Sequence, residues 1–330
     1  MPNPILSRAI RNKKDEFYTP YSIIENEVMT HEQEFYGKTV LCNCNDSVES
    51  NFYKFFVKNF NNLKLRRLIC VAYGNSLVDG GDEQPYILDI NRIDDLSHIF
   101  DSSENHLIFI LKNGEKASYD SSVLQPYVDE SDIVITNPPF SLFKEYFIWL
   151  IGLNKKFCVL GNLNAVCYKQ FFPYFMNGAF HLGISLRGGS VYCRFPKGYD
   201  VDPETIVRKV DGNETIGIPN VRWFTNLHNA EPPFLHLENA YIPEKYPKFD
   251  NYDAINVDRT KLIPFDYKEV MGVPLTFLDK WNSEQFELLG CSKKWLHDKV
   301  PTTHNVIGND CALVHGKTKY VRLFIKNRIL

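Results

Sequence analysis

The expected fold is decided by one segment, Asp132-Ile133-Val134-Ile135-Thr136-Asn137-Pro138-Pro139-Phe140-Ser141. Its run of β-branched side chains at 133–136 is typical of a strand buried on both faces. Proline fixes φ and lacks an N–H, so the two prolines end that strand abruptly. Ser141 then stands at the expected N-cap of a helix whose apolar spacing continues to about Ile151. The segment therefore predicts a central strand, a rigid turn and a helix.

Apolar runs on both sides of this segment repeat the alternation of strand and helix. The expected strands are 39–44, 65–72, 107–111, 156–161 and 181–186, and the expected helices are 50–60 and 166–175. A hairpin elaboration is expected between Tyr73 and Tyr119, with the strand at 107–111 closed by Asn113-Gly114. The alternation predicts an α/β fold with a mostly parallel sheet, whose ligands bind beyond the carboxyl ends of the strands.

The pattern changes after Arg187-Gly188-Gly189-Ser190. The runs 191–195 and 221–227 are expected to pair as antiparallel strands. Prolines recur after Ala230 and the periodicity weakens, which predicts a smaller, loop-rich region. We therefore expect an N-terminal arm over 1–38, a main domain over 39–229 and the smaller region over 230–330.

The turn Asn137-Pro138-Pro139-Phe140 has the chemistry to hold a planar aromatic amine. Pro138 restricts Asn137 to an extended conformation, and few donors compete for the Asn137 side-chain oxygen and the Pro138 carbonyl. These two acceptors can receive both hydrogens of an adenine N6 amine, and Phe140 offers a face on which the base can stack, worth roughly 1–3 kcal/mol. The competing interpretation is a strand-ending turn with Phe140 in the core. The position between a buried strand and a helix favours the functional interpretation.

A second segment, Asp15-Glu16-Phe17-Tyr18-Thr19-Pro20, stands near the N-terminus. One interpretation is a surface turn that enters a helix. The other places Thr19-Pro20 over the mouth of the sheet, against one end of a bound cofactor. Phe17 or Tyr18 would then face a positively charged group of that cofactor through a cation–π contact.

Taken together, these segments resemble the amino-methyltransferases of DNA and, more closely, the EcoRI-type adenine methyltransferases. The resemblance spans nearly the whole chain, and its segments are 15–20, 42–46, 50–52, 131–146, 252–257 and 271–274. It implies a class I S-adenosylmethionine-dependent methyltransferase fold, Rossmann-like, with a mostly parallel seven-stranded sheet and a C-terminal target-recognition region. It also implies methyl transfer to a flipped adenine in duplex DNA, in a restriction-modification or related DNA-modification context. Asn137, Pro138, Pro139 and Phe140 would form the catalytic turn.

The cofactor site implied by the resemblance departs from the wider amino-methyltransferase pattern. The loop after the first strand, Cys42-Asn43-Cys44-Asn45-Asp46, contains no glycine, although glycine normally lets a backbone approach a ligand closely. Asn43, Asn45 and Asp46 would therefore supply its contacts, beside Phe17, Tyr18, Thr19 and Pro20. Asp120 either contacts the adenine of the cofactor or caps the following helix.

Basic side chains are concentrated at the two ends of a chain whose net charge is −3. We expect several of them, together with Arg187, to contact DNA phosphates. The expected residues are Arg8, Arg11, Lys13, Lys14, Arg187, Lys317, Lys319 and Arg322. The competing interpretations are solvated termini, a flexible hairpin at 187–190, and an exposed edge strand guarded by lysines at 317–328.

The eight cysteines include no Cys-x-x-Cys pair, so we expect reduced core thiols and no metal. No signal peptide or membrane-length apolar run is evident, which predicts a cytoplasmic protein without a membrane partner. The expected partner is double-stranded DNA. The expected state is a monomer, and any cognate restriction endonuclease would form no stable complex with it. Two alternatives stay open: a methyltransferase for RNA or a protein glutamine, and a catalytically inactive DNA-binding protein of the same fold.

Overall fold

The computed structural model describes residues 17–44, 46–73, 85–93, 107–110, 118–195, 207–210, 212–228, 231–293 and 311–329, with the backbone alone at 107–110. These residues separate into two compact units. The first unit contains the described residues up to Asn162 and those from Tyr174 to His228. The second contains Leu163–Pro173 and the described residues from Glu231 onward.

The first unit is built from strands and short helices that alternate along most of its length. Its described strands are β1 (Thr39–Cys42), β2 (Arg67–Ala72), β3 (Tyr86–Ile90), β4 (Leu107–Ile110), β5 (Ile133–Thr136), β6 (Lys156–Asn162), β7 (His181–Leu182), β8 (Ser190–Arg194), β9 (Val207–Val210), β10 (Asn213–Pro219) and β11 (Val221–Thr225). The described helices are α1 (Tyr21–Val28), α2 (Asn51–Lys58), α3 (Gln125–Glu130), α4 (Phe143–Gly152) and α5 (Phe172–Met176), the last crossing the boundary between the units, and a 3-10 helix at Met29–Phe35.

Eight of the described strands form one sheet in the order β4-β3-β2-β1-β5-β6-β11-β7. The central strands β2, β1, β5 and β6 are mutually parallel, and β3 and β11 run in the opposite direction. The prediction of a mostly parallel α/β sheet of the class I methyltransferase kind is confirmed, with eight described strands where seven were expected. β1 and β5 are buried along their whole length, as expected for strands covered on both faces.

Helix α2 shows how the sequence begins a helix at the end of β1. The Ser50 hydroxyl accepts a hydrogen bond from the Phe52 N–H at 3.1 Å and thereby caps the helix. Phe52, Phe55 and Phe56 form its buried face, and the Phe52 ring meets Trp223 edge-on. Burial of each such aromatic side chain contributes about 1.5–3 kcal/mol to the stability of the core.

Two sequence predictions about helices were wrong. Ser141 is not the N-cap of α4, because that helix begins after Leu142 and no side chain caps it. The single helix expected over 166–175 is divided into a 3-10 helix at Leu163–Cys167 and the short α5.

The strand pairing also differs from the prediction around residues 181–227. The run 191–195 pairs with β10 in a separate three-stranded sheet, β8-β10-β9, whereas β11 joins the main sheet beside β6. Asn220, at φ 61°, lies between β10 and β11 in the left-handed region that asparagine tolerates, and it redirects the chain from one sheet to the other. The strand expected over 181–186 ends at Leu182, because the Glu27 carboxylate accepts the N–H groups of Ile184 and Ser185.

The expected elaboration between Tyr73 and Tyr119 is present as the antiparallel pair β3 and β4. The sequence prediction missed β3, which pairs with both β2 and β4. The Asn113-Gly114 turn lies outside the described residues.

The second unit contains its own small sheets and core. Its described strands are β12 (Ile255–Asn256), β13 (Met271–Pro274), β14 (Phe286–Cys291), β15 (Leu313–Val314), β16 (Lys317–Thr318) and β17 (Arg322–Asn327). Its described 3-10 helices, besides Leu163–Cys167, are Pro243–Lys245, Thr260–Leu262 and Leu275–Lys280. β17 lies between β13 and β14, and its first four residues are buried. The edge-strand interpretation of 317–328 is therefore wrong for β17.

All eight cysteines are free thiols and seven of them are buried, as expected for core thiols. Burial raises the pKa of the Cys193 thiol to about 12 and that of Cys158 well above its ordinary value, so both stay neutral. Within the described ranges, no group of three or more His, Cys, Asp or Glu side chains is arranged to hold a metal ion. The helices of those ranges include none long and apolar enough to cross a membrane.

Candidate active site

A cleft opens at the edge of the main sheet where β1 and β5 end. Parallel neighbouring strands present their carboxyl ends at the same edge, so the residues that follow β1 and β5 meet there. The residues that line the cleft are Phe17, Tyr18, Thr19, Cys44, Asp46, Ser50, Asn51, Phe52 and Asn137. The two segments singled out in the sequence, 17–20 and 137–140, are thus brought together.

The Asn137 side chain is held in one orientation at this cleft. Its Nδ2 donates a hydrogen bond of 2.8 Å to the Phe17 carbonyl, which leaves Oδ1 as the free acceptor. That oxygen is buried and has no hydrogen-bond partner among the described residues. An unpaired buried acceptor costs about 1–3 kcal/mol, so the free protein bears an energetic penalty that a donor on a ligand would remove.

The remaining residues of the turn surround Asn137. Pro138 is buried and Pro139 is half-buried. Phe140 is half-buried and packs against the main core, with its ring centroid 6.2 Å from that of Phe17. Phe140 thus has a core contact, as one interpretation expected, and retains exposed surface beside the Asn137 turn.

The segment Phe17–Pro20 is fixed at three points. Its contacts are the Asn137 bond to Phe17, a 2.8 Å bond from Asn51 Nδ2 to the Thr19 carbonyl, and a 3.0 Å bond from the Tyr18 N–H to the Arg194 carbonyl. Pro20 is the N-cap of α1, so the segment both enters a helix and lines the cleft. The Thr19 hydroxyl is buried and has no hydrogen-bond partner within the described ranges.

Asp46 ties the loop after β1 to its neighbours. Its buried carboxylate accepts hydrogen bonds from the Ser50 hydroxyl at 2.9 Å, the Thr136 hydroxyl at 2.7 Å and the Cys44 N–H at 3.2 Å. These bonds connect the loop, the start of α2 and the end of β5. Asp46 therefore reaches the cleft as a carboxylate that is already held in place.

Asn43 supports the same loop from the core side. It is fully buried, and its Oδ1 accepts a 2.7 Å hydrogen bond from the hydroxyl of Tyr146. Burial raises the pKa of Tyr146 well above its ordinary value, so this hydroxyl keeps its proton and acts as the donor. Asn43 is thus positioned by α4, and Asn45 lies outside the described residues.

Asp120 does not cap the helix that follows it. Helix α3 begins at Gln125 and its N-cap, Leu124, makes no side-chain capping bond. The exposed Asp120 instead accepts a hydrogen bond from the Ser118 hydroxyl. The neighbouring Tyr119 ring packs edge-on against Tyr146 and Trp149.

Sequence reasoning missed a site role for four residues of the cleft. The cleft is also lined by Cys44, Ser50, Asn51 and Phe52. The segments 42–46 and 50–52 were part of the resemblance, but these four residues were not predicted to contact a ligand. The signal available for this group was a capping serine at the start of the helix that follows the first strand, because such a helix begins at the ligand edge of the sheet.

The basic residues expected at DNA occupy different environments. Arg187 is exposed and precedes Gly188 and Gly189, whose φ values of 86° and 74° require glycine-like freedom. The turn at 187–190 is not a β-hairpin, because β7 and β8 belong to different sheets. Lys317 is exposed on β16. Residues 8, 11, 13 and 14 lie outside the described residues.

Arg322 is the exception in this group. Its side chain is only 8% exposed and bonds to Asn256 Oδ1 and Asp258 Oδ1, each at 3.2 Å. Lys319 contacts the same Asp258 carboxylate at 3.1 Å. The prediction that Arg322 presents its charge to a phosphate is corrected, because a buried guanidinium with two partners serves the interior of the second unit.

The fold and the cleft define the class of protein. A mostly parallel α/β sheet, with an Asn-Pro-Pro-Phe turn beyond a central strand and beside a cleft, is the architecture of a class I methyltransferase. The family described as adenine-specific methyltransferase EcoRI matches residues 5–328. The chain belongs to this family.

Three relatives are similar to the chain over almost their whole length. Type II methyltransferase M.EcoRI of Escherichia coli is 37% identical over 339 residues, covering 99% of this chain and 98% of the relative. Type II methyltransferase M.MpnI of Mycoplasma pneumoniae is 38% identical over 335 residues, with 98% of each chain covered. Type II methyltransferase M.MgeORF184P of Mycoplasma genitalium is 36% identical over 330 residues with the same coverage.

Proposed function

We propose that this protein is a site-specific DNA methyltransferase that transfers a methyl group from S-adenosylmethionine to N6 of an adenine flipped out of duplex DNA. The observation that carries the proposal is the buried, unpartnered Oδ1 of Asn137, whose amide is already oriented by Phe17. Membership of an adenine-specific family and the similarity to Type II methyltransferases support adenine and a restriction-modification context. The proposal includes a monomer that forms no stable complex with a cognate endonuclease.

The mechanism follows from the acceptors of the turn. Asn137 Oδ1 and the Pro138 carbonyl accept the two hydrogens of the N6 amine, and Phe140 stacks against the extruded base. This arrangement keeps the nitrogen lone pair out of the ring system and directs it at the cofactor site. When bound, S-adenosylmethionine supplies an electrophilic methyl group on a sulfonium. The proton that N6 loses passes to water, so the chain needs no strong base.

The residues of the cleft fit such a cofactor. Phe17 and Phe52 offer aromatic surface, the Asp46 carboxylate offers negative charge near a cation, and the unpaired Thr19 hydroxyl offers a hydrogen bond. Phe17, Tyr18, Thr19, Pro20 and Asp46 would hold the cofactor directly. Asn43 would act by positioning the loop, and the roles of Asn45 and Asp120 stay predictions.

We expect Thr19→Val to weaken cofactor binding without loss of stability. Valine keeps the shape of threonine but removes the hydroxyl, which has no partner among the described residues to lose. One hydrogen bond of about 0.5–1.5 kcal/mol corresponds to a Kd about two- to twelve-fold higher. Isothermal calorimetry with S-adenosylmethionine measures the Kd, and thermal unfolding measures the stability. An unchanged Kd would remove Thr19 from the proposed cofactor contacts.

The proposed function is tested by following the methyl group. The purified protein is incubated with methyl-labelled cofactor and, in parallel, with duplex DNA, RNA or a glutamine-containing protein, and the labelled base is identified after hydrolysis. The expected product is N6-methyladenine in DNA alone. Label in cytosine N4, in RNA or in protein would contradict the proposal. Cofactor binding without transfer to any substrate would support the inactive DNA-binding alternative instead.

A further inference from the structure

The three-stranded sheet β8-β10-β9 has two chemically different faces. Val191 and Cys193 of β8, together with Ile216 and Ile218 of β10, point into the main core. Because side chains alternate along a strand, Tyr192 and Arg194 lie on the opposite face. We call this opposite face of Tyr192, Arg194, Arg208, Thr215 and Gly217 the outer ribbon face.

The exposed part of the outer ribbon face is aromatic and cationic, because Arg194 and Arg208 are exposed, Tyr192 is half-buried and Thr215 is buried. Gly217 is paired with Tyr192, and a Cβ added there would lie 3.1 Å from the Tyr192 ring, so glycine lets the ring lie across β10. The Arg208 guanidinium stands 4.5 Å from the centroid of the same ring. Tyr192 thus holds Arg208 over the sheet by a cation–π contact instead of an ion pair.

Charges are segregated between the two faces. Lys209 is directly opposite Glu214 in the pairing of β9 with β10, and both lie on the face that is not the outer ribbon face. Arg194 and all four residues of β9 are exposed. No carboxylate among the described residues is within ion-pair distance of Arg194 or Arg208. The outer ribbon face therefore presents two positive charges that a multiply charged anion can approach.

The outer ribbon face is continuous with the candidate active site. Tyr18, which lines the cleft, forms an isolated antiparallel bridge with Arg194 of β8. Arg194 is paired with Thr215, which is paired with Arg208. The four paired residues consequently form one row across the strands, which begins at the cleft with Tyr18 and continues through Arg194 and Thr215 to Arg208.

The spacing of the row suits a nucleic acid backbone. Neighbouring strands lie about 4.8 Å apart, so Arg194 and Arg208 are separated by about 10 Å. Phosphates of one DNA strand are farther apart than the axial rise of about 3.4 Å per nucleotide, because the strand also winds around the axis, so this separation spans about one to two nucleotides. Guanidinium groups suit phosphate because they donate in a planar, bidentate geometry.

We propose that the outer ribbon face binds the DNA backbone that flanks the flipped adenine, with Arg194 holding the phosphate nearer the cleft and Arg208 a phosphate about one or two nucleotides farther along the same strand. This inference rests on the proposed function, because it places the DNA strand of that reaction. The proposed phosphate contacts come from β8 and β9, and no residue of these two strands was among the DNA-binding residues predicted from the sequence.

The test compares Arg194→Gln and Arg208→Gln with the matched control Lys209→Gln. The control removes the same charge from the neighbouring residue of β9, but on the other face. DNA affinity is measured by fluorescence anisotropy with a labelled duplex at several salt concentrations. Each arginine variant is expected to reduce the slope of log K against log salt by about 0.9, the loss of one phosphate contact, and Lys209→Gln is expected to leave it unchanged. Arg208→Lys should restore most of the slope.

The outcomes separate this inference from the proposed function. Calorimetry with S-adenosylmethionine should give the same Kd for all variants, which excludes general damage to the fold. If the wild type methylates adenine but the arginine variants keep its salt slope, or if Lys209→Gln matches them, the outer ribbon face is not the phosphate site and the proposed function stands. If the wild type methylates no DNA, the proposed function fails whatever the slopes are.

Discussion

Asn137→Ala is expected to lower kcat for adenine methylation by about 10²–10³-fold, the usual loss when one preorganised polar group of an active site is removed. The substitution deletes the buried Oδ1 that is proposed to accept one N6 hydrogen, and no other side chain among the described residues is bonded to that atom. It also deletes the 2.8 Å bond that fixes Phe17. We therefore expect a smaller accompanying rise in KM for S-adenosylmethionine. Single-turnover methylation of duplex DNA measures the chemical step separately from product release.

Asn137→Asp is the matched control for this prediction. Aspartate keeps an acceptor at the same place but loses the Nδ2 donor, so its carboxylate would face the Phe17 carbonyl without a hydrogen bond. It should share the rise in cofactor KM and retain more kcat than alanine does. A kcat within about two-fold of the wild type in Asn137→Ala would remove the oxygen from the mechanism.

The parts of the fold that local patterning controls were predictable from the sequence. The positions of β1, β2, β5 and β6 were predicted correctly, because continuous apolar runs bounded by polar turns specify buried parallel strands. The position of helix α2 was predicted correctly, because Ser50 caps the helix and the phenylalanines follow helical spacing.

The errors arose where a distant contact overrides the local pattern. The strand at 181–186 is cut short by Glu27, more than 150 residues earlier in the chain, which takes the N–H groups of Ile184 and Ser185. The pairing of 191–195 with β10 depends on the left-handed Asn220, which no periodicity reveals. Arg322 has the charge pattern of an exposed strand, but its side chain is only 8% exposed and is bonded to Asn256 and Asp258, which are more than 60 residues away in the chain.

The candidate site was predictable in part for the same reason. Asn137 follows a strand whose end is visible in the sequence, so its position at the ligand edge could be inferred. Its orientation could not, because that depends on the carbonyl of Phe17, 120 residues away. The row from Tyr18 to Arg208 was also out of reach, since it depends on strand register.

Glu27→Ala is expected to lower the free energy of unfolding by about 2–6 kcal/mol, because it leaves two buried N–H donors unpaired at about 1–3 kcal/mol each. The Glu27 side chain is fully buried, and it accepts hydrogen bonds from Ile184 N at 3.0 Å and Ser185 N at 2.7 Å, with His31 Nε2 at 3.5 Å. Gly183 permits this approach, because a Cβ there would lie 2.1 Å from the carboxylate. Alanine would leave the N–H groups of Ile184 and Ser185 unpaired. Chemical denaturation measures the change, and Glu25→Ala, a half-exposed residue of the same helix, should cost under about 0.5 kcal/mol.

The isosteric variant Glu27→Gln adds a pH signature that a packing defect would not produce. Burial by itself raises the pKa of Glu27, but nearby His31 and the hydrogen bonds from Ser185 and Ile184 outweigh it and hold the pKa below its ordinary value. A lowered pKa of a carboxyl stabilises the folded state above the ordinary glutamate value of about 4.3 and loses that contribution as the pH falls through the folded pKa. Half-buried His181, whose pKa is lowered mainly by burial, also destabilises the fold as the pH falls, and the Glu27 charge raises the pKa of His181, so the two proteins are compared outside the range in which this histidine titrates. The stability difference between wild type and Glu27→Gln should be constant above about pH 7 and shrink below about pH 4.3. A difference that stays constant down to the acid transition would mean that the Glu27 charge contributes nothing and that only its shape is required.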